Sequence, residues 1–387
     1  MKKLFLSLLL IILLNIFLNI WLILFNHKVP KSDDYYTRHN YYIDERTSGG
    51  EFDLLRAWGQ TDSQWYLRIA AKGYGKPTDL TLASQKMEGL TYAFFPLYPL
   101  TIRFFAFFTN GNFELAAFIL NNLLIITNFV SIWFVVKKIY SEKYAFIAAF
   151  LVVLFPFSIF LRSYHAEGLY LLILTWWLYF LTKKIFGKSS FFIGILNIVK
   201  GTGWLLNIVH IFYLAMEFRK KKLSLTRTII YMAITITPLL TWVIIVYKLT
   251  GDPFYFYKAV NQWKVATIHP IVVNLMMLVN SGVFFLKHMW VELIQNIIFI
   301  TSFYILIKSR NWLKREWWWT SFLLLAVPTL TTYSVGYTSG RLALIQLPLW
   351  VYLAGRLGKI SSVVVFTLFT AILFTASLYF VNWHWWG

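Results

Sequence analysis

The chain has 387 residues, of which 59% are hydrophobic, 20% aromatic and only 13% charged. A soluble domain carries roughly 25% charged residues, so an ordinary globular protein is excluded, and a chain this aromatic cannot stay solvated and disordered. The net charge of +20 is read as orienting charge at helix ends rather than as a nucleic-acid surface, and the absence of cysteine excludes disulfides, thiolate metal sites and a cysteine nucleophile.

The sequence therefore predicts an all-α polytopic membrane protein whose single transmembrane domain fills 1–387. The first apolar run, 4–24, follows Lys2 and Lys3 and is long enough to span a bilayer. It lacks a small-residue cleavage site and reads as a retained first helix with a cytoplasmic N-terminus. A polar stretch, 26–92, follows. It holds 9 of the 16 acidic residues in under a fifth of the chain, and reads as a large first extracytoplasmic loop.

Within that loop, Asp62 opens a segment whose Trp65, Leu67, Ile69 and Ala70 recur at near-helical spacing. One reading is an interfacial helix lying on the membrane, capped by Asp62 and anchored by tryptophan. The other is a general base at the membrane boundary, its acidity weakened by partial desolvation. Residues 94–108 contain two prolines three apart, Pro96 and Pro99, among aromatics. A full crossing here would invert every later charge cluster, so this segment is expected along the outer leaflet.

Basic clusters then set the threading: 114–136, 144–161, 167–181, 228–247, 289–307, 317–333, 342–354 and 360–380 read as spans, about nine with the first. Residues 189–218 lie between Lys183-Lys184 and Arg219-Lys220-Lys221-Lys222 and must cross an even number of times. They are expected to form a broken helical hairpin with its break at Lys200-Gly201-Thr202-Gly203. Irregular backbone at that depth must line a cavity or be buried in protein. The stretch 271–288 fits no span cleanly and is expected along the outer surface.

Four places carry residues suited to chemistry. Arg162, His165 and Glu167 share a short outer turn; Arg162 and Glu167 either pair with each other there or join Asp62 in a polar site. Lys200, in the middle of an apolar hairpin, either snorkels to an interface or meets an anion such as a lipid phosphate. Arg341 lies on the outer side against the positive-inside trend, as an interfacial anchor or a bidentate phosphate ligand. The loop 251–264, with Gln262 and Trp263, suits stacking on a sugar ring and equally an aromatic belt. No phosphate-binding Gly-rich loop and no Gly-x-Ser-x-Gly elbow is present.

Together these motifs resemble the PIG-V-like family, the GPI mannosyltransferase II type of GT-C integral-membrane glycosyltransferases. Asp62 with Trp65, Tyr66, Ile69, Ala70, Gly73 and Tyr74 is similar to its Trp-Asp block, although here Thr61 precedes the aspartate and Trp58 stands four positions upstream. Its Phe-Phe-Pro-Leu-Tyr-Pro block is matched at 94–99. His165–Tyr170 resembles its Tyr-Ser-Glu-Ser-Leu-Phe block at Glu167 and Leu169, without either serine. Lys200 stands where its Arg-x-x-Gly element has arginine, and Arg341 matches its late Ser-x-x-Arg-Tyr element with Leu342 in place of tyrosine.

The resemblance implies inverting transfer of a hexose, usually mannose, from a polyprenyl-phosphate carrier to a hydroxyl of a glycan or glycolipid acceptor on the extracytoplasmic face. Asp62 would be the base. Lys200 and Arg341, with Arg103 and Arg162 behind them, would hold the carrier phosphate. Glu167, His165, Trp65, Phe95, Tyr98, Gln262 and Trp263 would contact sugar and acceptor. No metal, cofactor or nucleic acid enters this scheme; the partners are the lipid donor, the acceptor and membrane lipids. Abundant Lys, Ile, Asn and Phe point to a prokaryotic plasma membrane. A flippase of a lipid-linked saccharide, or an inactive glycolipid-binding relative, would use the same residue types.

Overall fold

The computed structural model describes residues 2–32, 52–77, 87–262, 290–331 and 335–384, together with positions 276, 279 and 282. Every regular element among them is helical. In chain order these are α1 (Lys2–Phe25), α2 (Leu54–Trp58), α3 (Asp62–Lys72), α4 (Leu97–Ala106), α5 (Phe113–Ile139), α6 (Glu142–Leu154), α7 (Ile159–Arg162), α8 (Glu167–Thr182), α9 (Phe186–Leu196), α10 (Gly203–Arg219), α11 (Leu225–Thr250), α12 (Tyr255–Asn261), α13 (Trp290–Ser309), α14 (Arg315–Thr331), α15 (Val335–Leu344), α16 (Leu347–Arg356) and α17 (Lys359–Val381).

Five helices, α1, α5, α11, α13 and α17, are long and apolar enough to cross a membrane. The pair α6–α7, bent by 68° at Phe155-Pro156, makes a sixth if counted as one span. The protein is thus a helical membrane protein. The remaining expected spans take other forms. Residues 167–181 become the shorter α8, the described part of 317–333 lies in α14, and 342–354 become two helices, α15 and α16, broken at Ile345-Gln346.

Helix boundaries follow from local chemistry. Asn112, Ser141 and Ser224 cap α5, α6 and α11 by accepting hydrogen bonds from the backbone N–H three residues on. α1, α11 and α17 stay mostly uncovered by protein although they are strongly apolar, as helices facing lipid do. α5 is the central helix: it packs against α6, α8 and α4 and is more than half buried.

The hairpin α9–α10 breaks at Lys200, as its sequence suggests. Gly203 makes that turn possible, because a Cβ there would lie 2.5 Å from the Leu196 carbonyl oxygen. α9 packs between α8 and α11, so the tip of the hairpin reaches the start of α8.

Two expectations about the first loop are corrected. α3 is not a free interfacial helix: Ser63, Trp65, Tyr66, Leu67, Arg68, Ile69 and Ala70 are all buried. It packs on α4 and α5, because its polar face is also engaged by protein. Nor does Asp62 cap it. Thr61 precedes the helix without a side-chain capping bond, and the Asp62 carboxylate turns to Arg341. The segment 94–108 forms α4 and a final turn, apolar but shorter than the five long helices, and exposes Leu100, Phe104, Phe107 and Phe108, in keeping with a lipid-contacting element. Trp263 and nearly all of 271–288 lie outside the described residues.

Candidate active site

Four charged side chains from four distant parts of the chain meet at one end of the bundle. The Arg341 guanidinium, on α15, spans two carboxylates: Nη1 donates to Asp62 Oδ2 at 2.8 Å, while Nε and Nη2 donate to Glu167 Oε1 at 2.9 and 2.7 Å. Lys200 Nζ reaches the same Glu167 oxygen at 2.7 Å. Two carboxylates and two cations sum to zero.

Backbone features place each group. Gly340 lets α15 press against Phe157, since a Cβ there would overlap the ring, and its N–H donates to Gln295 Oε1 at 2.6 Å. Arg341 then lies over the Phe160 ring at 4.7 Å, a cation–π contact that favours the charged guanidinium. Glu167 is the first residue of α8, where the helix dipole favours a carboxylate. Asp62 opens α3 in the same sense.

The cluster is closed on one side and open on the other. Glu167 has no exposed side-chain surface and Arg341 only 11%, whereas Asp62 and Lys200 keep 30% and 26%. A ligand thus meets Asp62 and Lys200 first. Burial is the largest single influence on Asp62 and by itself would weaken its acidity, but the Arg341 charge, His165 and the Arg341 hydrogen bond together outweigh it and hold the carboxyl below its usual value. This corrects the expectation of a desolvated, more basic aspartate: contacts that favour the charged form together exceed the loss of water. Glu167 Oε2 is buried and accepts no hydrogen bond within the described residues.

His165 sits beneath the cluster, fully buried against Phe160 and Phe380. Thr61, Ser63 and Ser163 hydroxyls surround its ring nitrogens, so it faces protein rather than a sugar. Trp65 is likewise packed, stacked on Phe94 at 5.7 Å. Tyr98 is buried and donates to Asn121 Oδ1 at 2.8 Å. Phe95 borders the Lys200 turn: a Cβ on Gly201 would stand 3.5 Å from its ring, and Trp204, Trp242 and Phe256 gather around it. Gln262 ends α12, exposed, and no described contact brings it to the carboxylates.

Arg103 and Arg162 do not join the cluster. Arg103 Nε donates to the Ala70 carbonyl at 2.6 Å, satisfying an unpaired oxygen at the end of α3. Arg162 is spent on Asn15 Oδ1 at 3.0 Å, Ser158 O at 3.0 Å and Ser158 Oγ at 2.8 Å. It does not pair with Glu167, whose oxygen is taken by nearer cations.

The sequence reading missed Tyr66 as a site residue. It lies on α3 one turn after Asp62, edge-on to Phe94 and Tyr98. Burial, and then the charges of Glu167 and Asp62, push its phenol well above the ordinary range, so it stays a hydrogen-bond donor. The i,i+4 spacing from Asp62 was the available signal. Phe160 gave none. Among the described residues no three His, Asp or Glu side chains converge as metal ligands.

An anion entering this site would compete with Asp62 and Glu167 for two cations, and drawing Arg341 away would leave Asp62 a stronger base toward a hydroxyl beside it. No protein-family model matches the chain, and no characterised protein matches it significantly.

Proposed function

We propose that the protein is a glycosyltransferase of the GT-C kind with about nine spans, moving a hexose from a polyprenyl-phosphate carrier to a hydroxyl of a glycan or glycolipid. The observation that carries this reading is the single guanidinium shared by Asp62 and Glu167, with Lys200 on the same carboxylate. A phosphate leaving group needs cations, an attacking hydroxyl needs a base, and the cluster offers both within one shell.

In the reaction, the acceptor oxygen attacks the anomeric carbon and its proton passes to Asp62. The bond from that carbon to the phosphate oxygen breaks, and the electron pair leaves on the phosphate. Arg341 and Lys200 turn from the carboxylates to that phosphate, stabilising its charge as it develops. Releasing Arg341 also frees Asp62 from the charge that makes it a weak base. Tyr66 donates to a ligand oxygen, and the aromatic wall around Phe95 borders the acceptor.

Depth supports a site at the outer surface. Asn121 and Asn128 on α5 bond the backbone at Ser163 and Gly168, on either side of Glu167. The same helix ends in Lys137-Lys138, 16 residues beyond Asn121, or about 24 Å at 1.5 Å per residue. That basic end also gathers Lys314, bonded to Tyr140, and Lys184, paired with Glu217. The spacing approaches the thickness of a bilayer core, which supports a reading in which the basic ends are cytoplasmic and the cluster works at the extracytoplasmic face of a plasma membrane. No metal or cofactor enters this scheme.

The test uses purified protein in lipid vesicles with radiolabelled polyprenyl-phosphate mannose and, separately, polyprenyl-phosphate glucose. Label moving to a glycoside or lipid acceptor with one donor supports the reading and names the sugar. Donor carried across the bilayer with no transfer would replace it with a flippase.

A further inference from the structure

We infer that His165 is the positioning residue of the carboxylate pair, an uncharged imidazole that ties the turn before Asp62 to the turn before Glu167. The inference rests on the reading of these carboxylates as the working groups.

The hydrogen-bond roles follow from one another. Ser163 Oγ already donates to the Ile159 carbonyl at 2.9 Å, so toward His165 Nδ1, 2.8 Å away, it acts as acceptor. Nδ1 therefore carries the proton, directed at Ser163 with Ser63 Oγ at 2.9 Å beside it. Nε2 is left with its lone pair and accepts from the Thr61 hydroxyl at 3.3 Å. Ser63 and Thr61 flank Asp62 in sequence, and His165 stands two residues before Glu167. One ring thus fixes both carboxylate-bearing segments without touching either carboxylate.

A second observation shows that the link has something to hold. Thr61 has φ +53° and ψ −124°, a conformation that a β-branched residue adopts only when its surroundings impose it. That kink sends the Asp62 side chain toward α15 instead of back over its own helix end. Without the ring, Thr61 relaxes, Asp62 drifts from Glu167, and one guanidinium no longer bridges the two at 2.7–2.8 Å. Burial keeps the ring neutral, its pKa lowered to about 3. A protonated ring would lose the acceptor that Thr61 needs.

The test combines a thermal cycle with kinetics on the full chain in nanodiscs. Arg341→Gln is placed in the wild type, in His165→Phe and in Thr61→Val, which keeps its shape but loses the hydroxyl. If His165 sets the spacing, the melting-temperature loss caused by Arg341→Gln shrinks in both backgrounds, as coupled positions require. In transfer assays His165→Phe lowers kcat by about tenfold or more with donor KM little changed, and His165→Asn, which keeps a donor and an acceptor, recovers part of it. An unchanged Arg341→Gln loss in both backgrounds overturns the inference. Wild-type protein without transfer activity would overturn the proposed function instead, and the thermal cycle would still judge the positioning role.

Discussion

Replacing Arg341 by glutamine should unbalance the cluster in a way that a second substitution repairs. The wild-type shell holds two carboxylates and two cations; Arg341→Gln leaves two negative charges against one positive. Removing one partner of a buried ion pair costs about 3–5 kcal/mol. Asp62 is 30% exposed and water relieves it, while buried Glu167 keeps Lys200 at 2.7 Å. The lower end of that range, about 3 kcal/mol, is therefore expected, or roughly a 150-fold shift in the unfolding equilibrium. Glu167→Gln combined with Arg341→Gln returns the shell to neutrality with Asp62 and Lys200 alone. That double variant should recover about half of the lost stability, although it should transfer no sugar. Thermal unfolding in nanodiscs, followed by tryptophan fluorescence, reads both effects. A melting temperature for Arg341→Gln equal to that of the wild type, or a double variant whose loss is the sum of the singles, would refute the electrostatic reasoning.

Other expectations follow from the same contacts. Arg162→Met should destabilise the protein by about 2 kcal/mol or more, since it strands buried carbonyl acceptors, yet leave donor KM unchanged; a rise in donor KM would return Arg162 to the phosphate site. Tyr66→Phe should lower transfer rate several-fold with little change in melting temperature, and equal rates would remove its hydroxyl from the site. Lowering pH from 7 to 4 should cost stability through His165, whose pKa is the ordinary 6.5 unfolded and is lowered by burial to about 3 folded. The unfolded chain binds the proton first, so stability is full above pH 6.5 and declines below it, by up to about 1.4 kcal/mol per pH unit. His165→Asn should flatten that part of the curve in a melting series across pH; an unchanged slope would contradict a buried neutral ring.

Much of the site was legible because charges at membrane depth are costly and hence conspicuous. Glu167, Lys200 and Arg341 broke an apolar or orienting pattern, Asp62 opened a stripe of apolar residues at near-helical spacing within the polar loop, and the structure brings all four together. Arg103 and Arg162 broke the same pattern for another reason: one completes a helix end and the other fills a buried carbonyl cage. Both roles are set by backbone geometry that residue spacing does not reveal. The spans with long, uniform apolar runs, α1, α5, α11, α13 and α17, were readable from length alone. The break between α15 and α16 was not, because Ile345-Gln346 carries no turn residue, although Pro348 lies two positions beyond it. The acidity of Asp62 was read in the wrong direction. Desolvation follows from sequence depth, but contact with Arg341, 279 residues away, does not.

The central claim is that the Asp62 carboxylate takes the acceptor proton during sugar transfer. It is tested most directly by single-turnover transfer in vesicles with the lipid donor that the wild type uses, comparing wild type with Asp62→Asn and Asp62→Glu. The expected result is that Asp62→Asn still folds and binds donor, with the lowered melting temperature that a net positive shell implies, but loses transfer by about 100-fold or more, while Asp62→Glu retains a measurable rate. Transfer by Asp62→Asn at the wild-type rate would contradict the account and leave the cluster a structural ion-pair network.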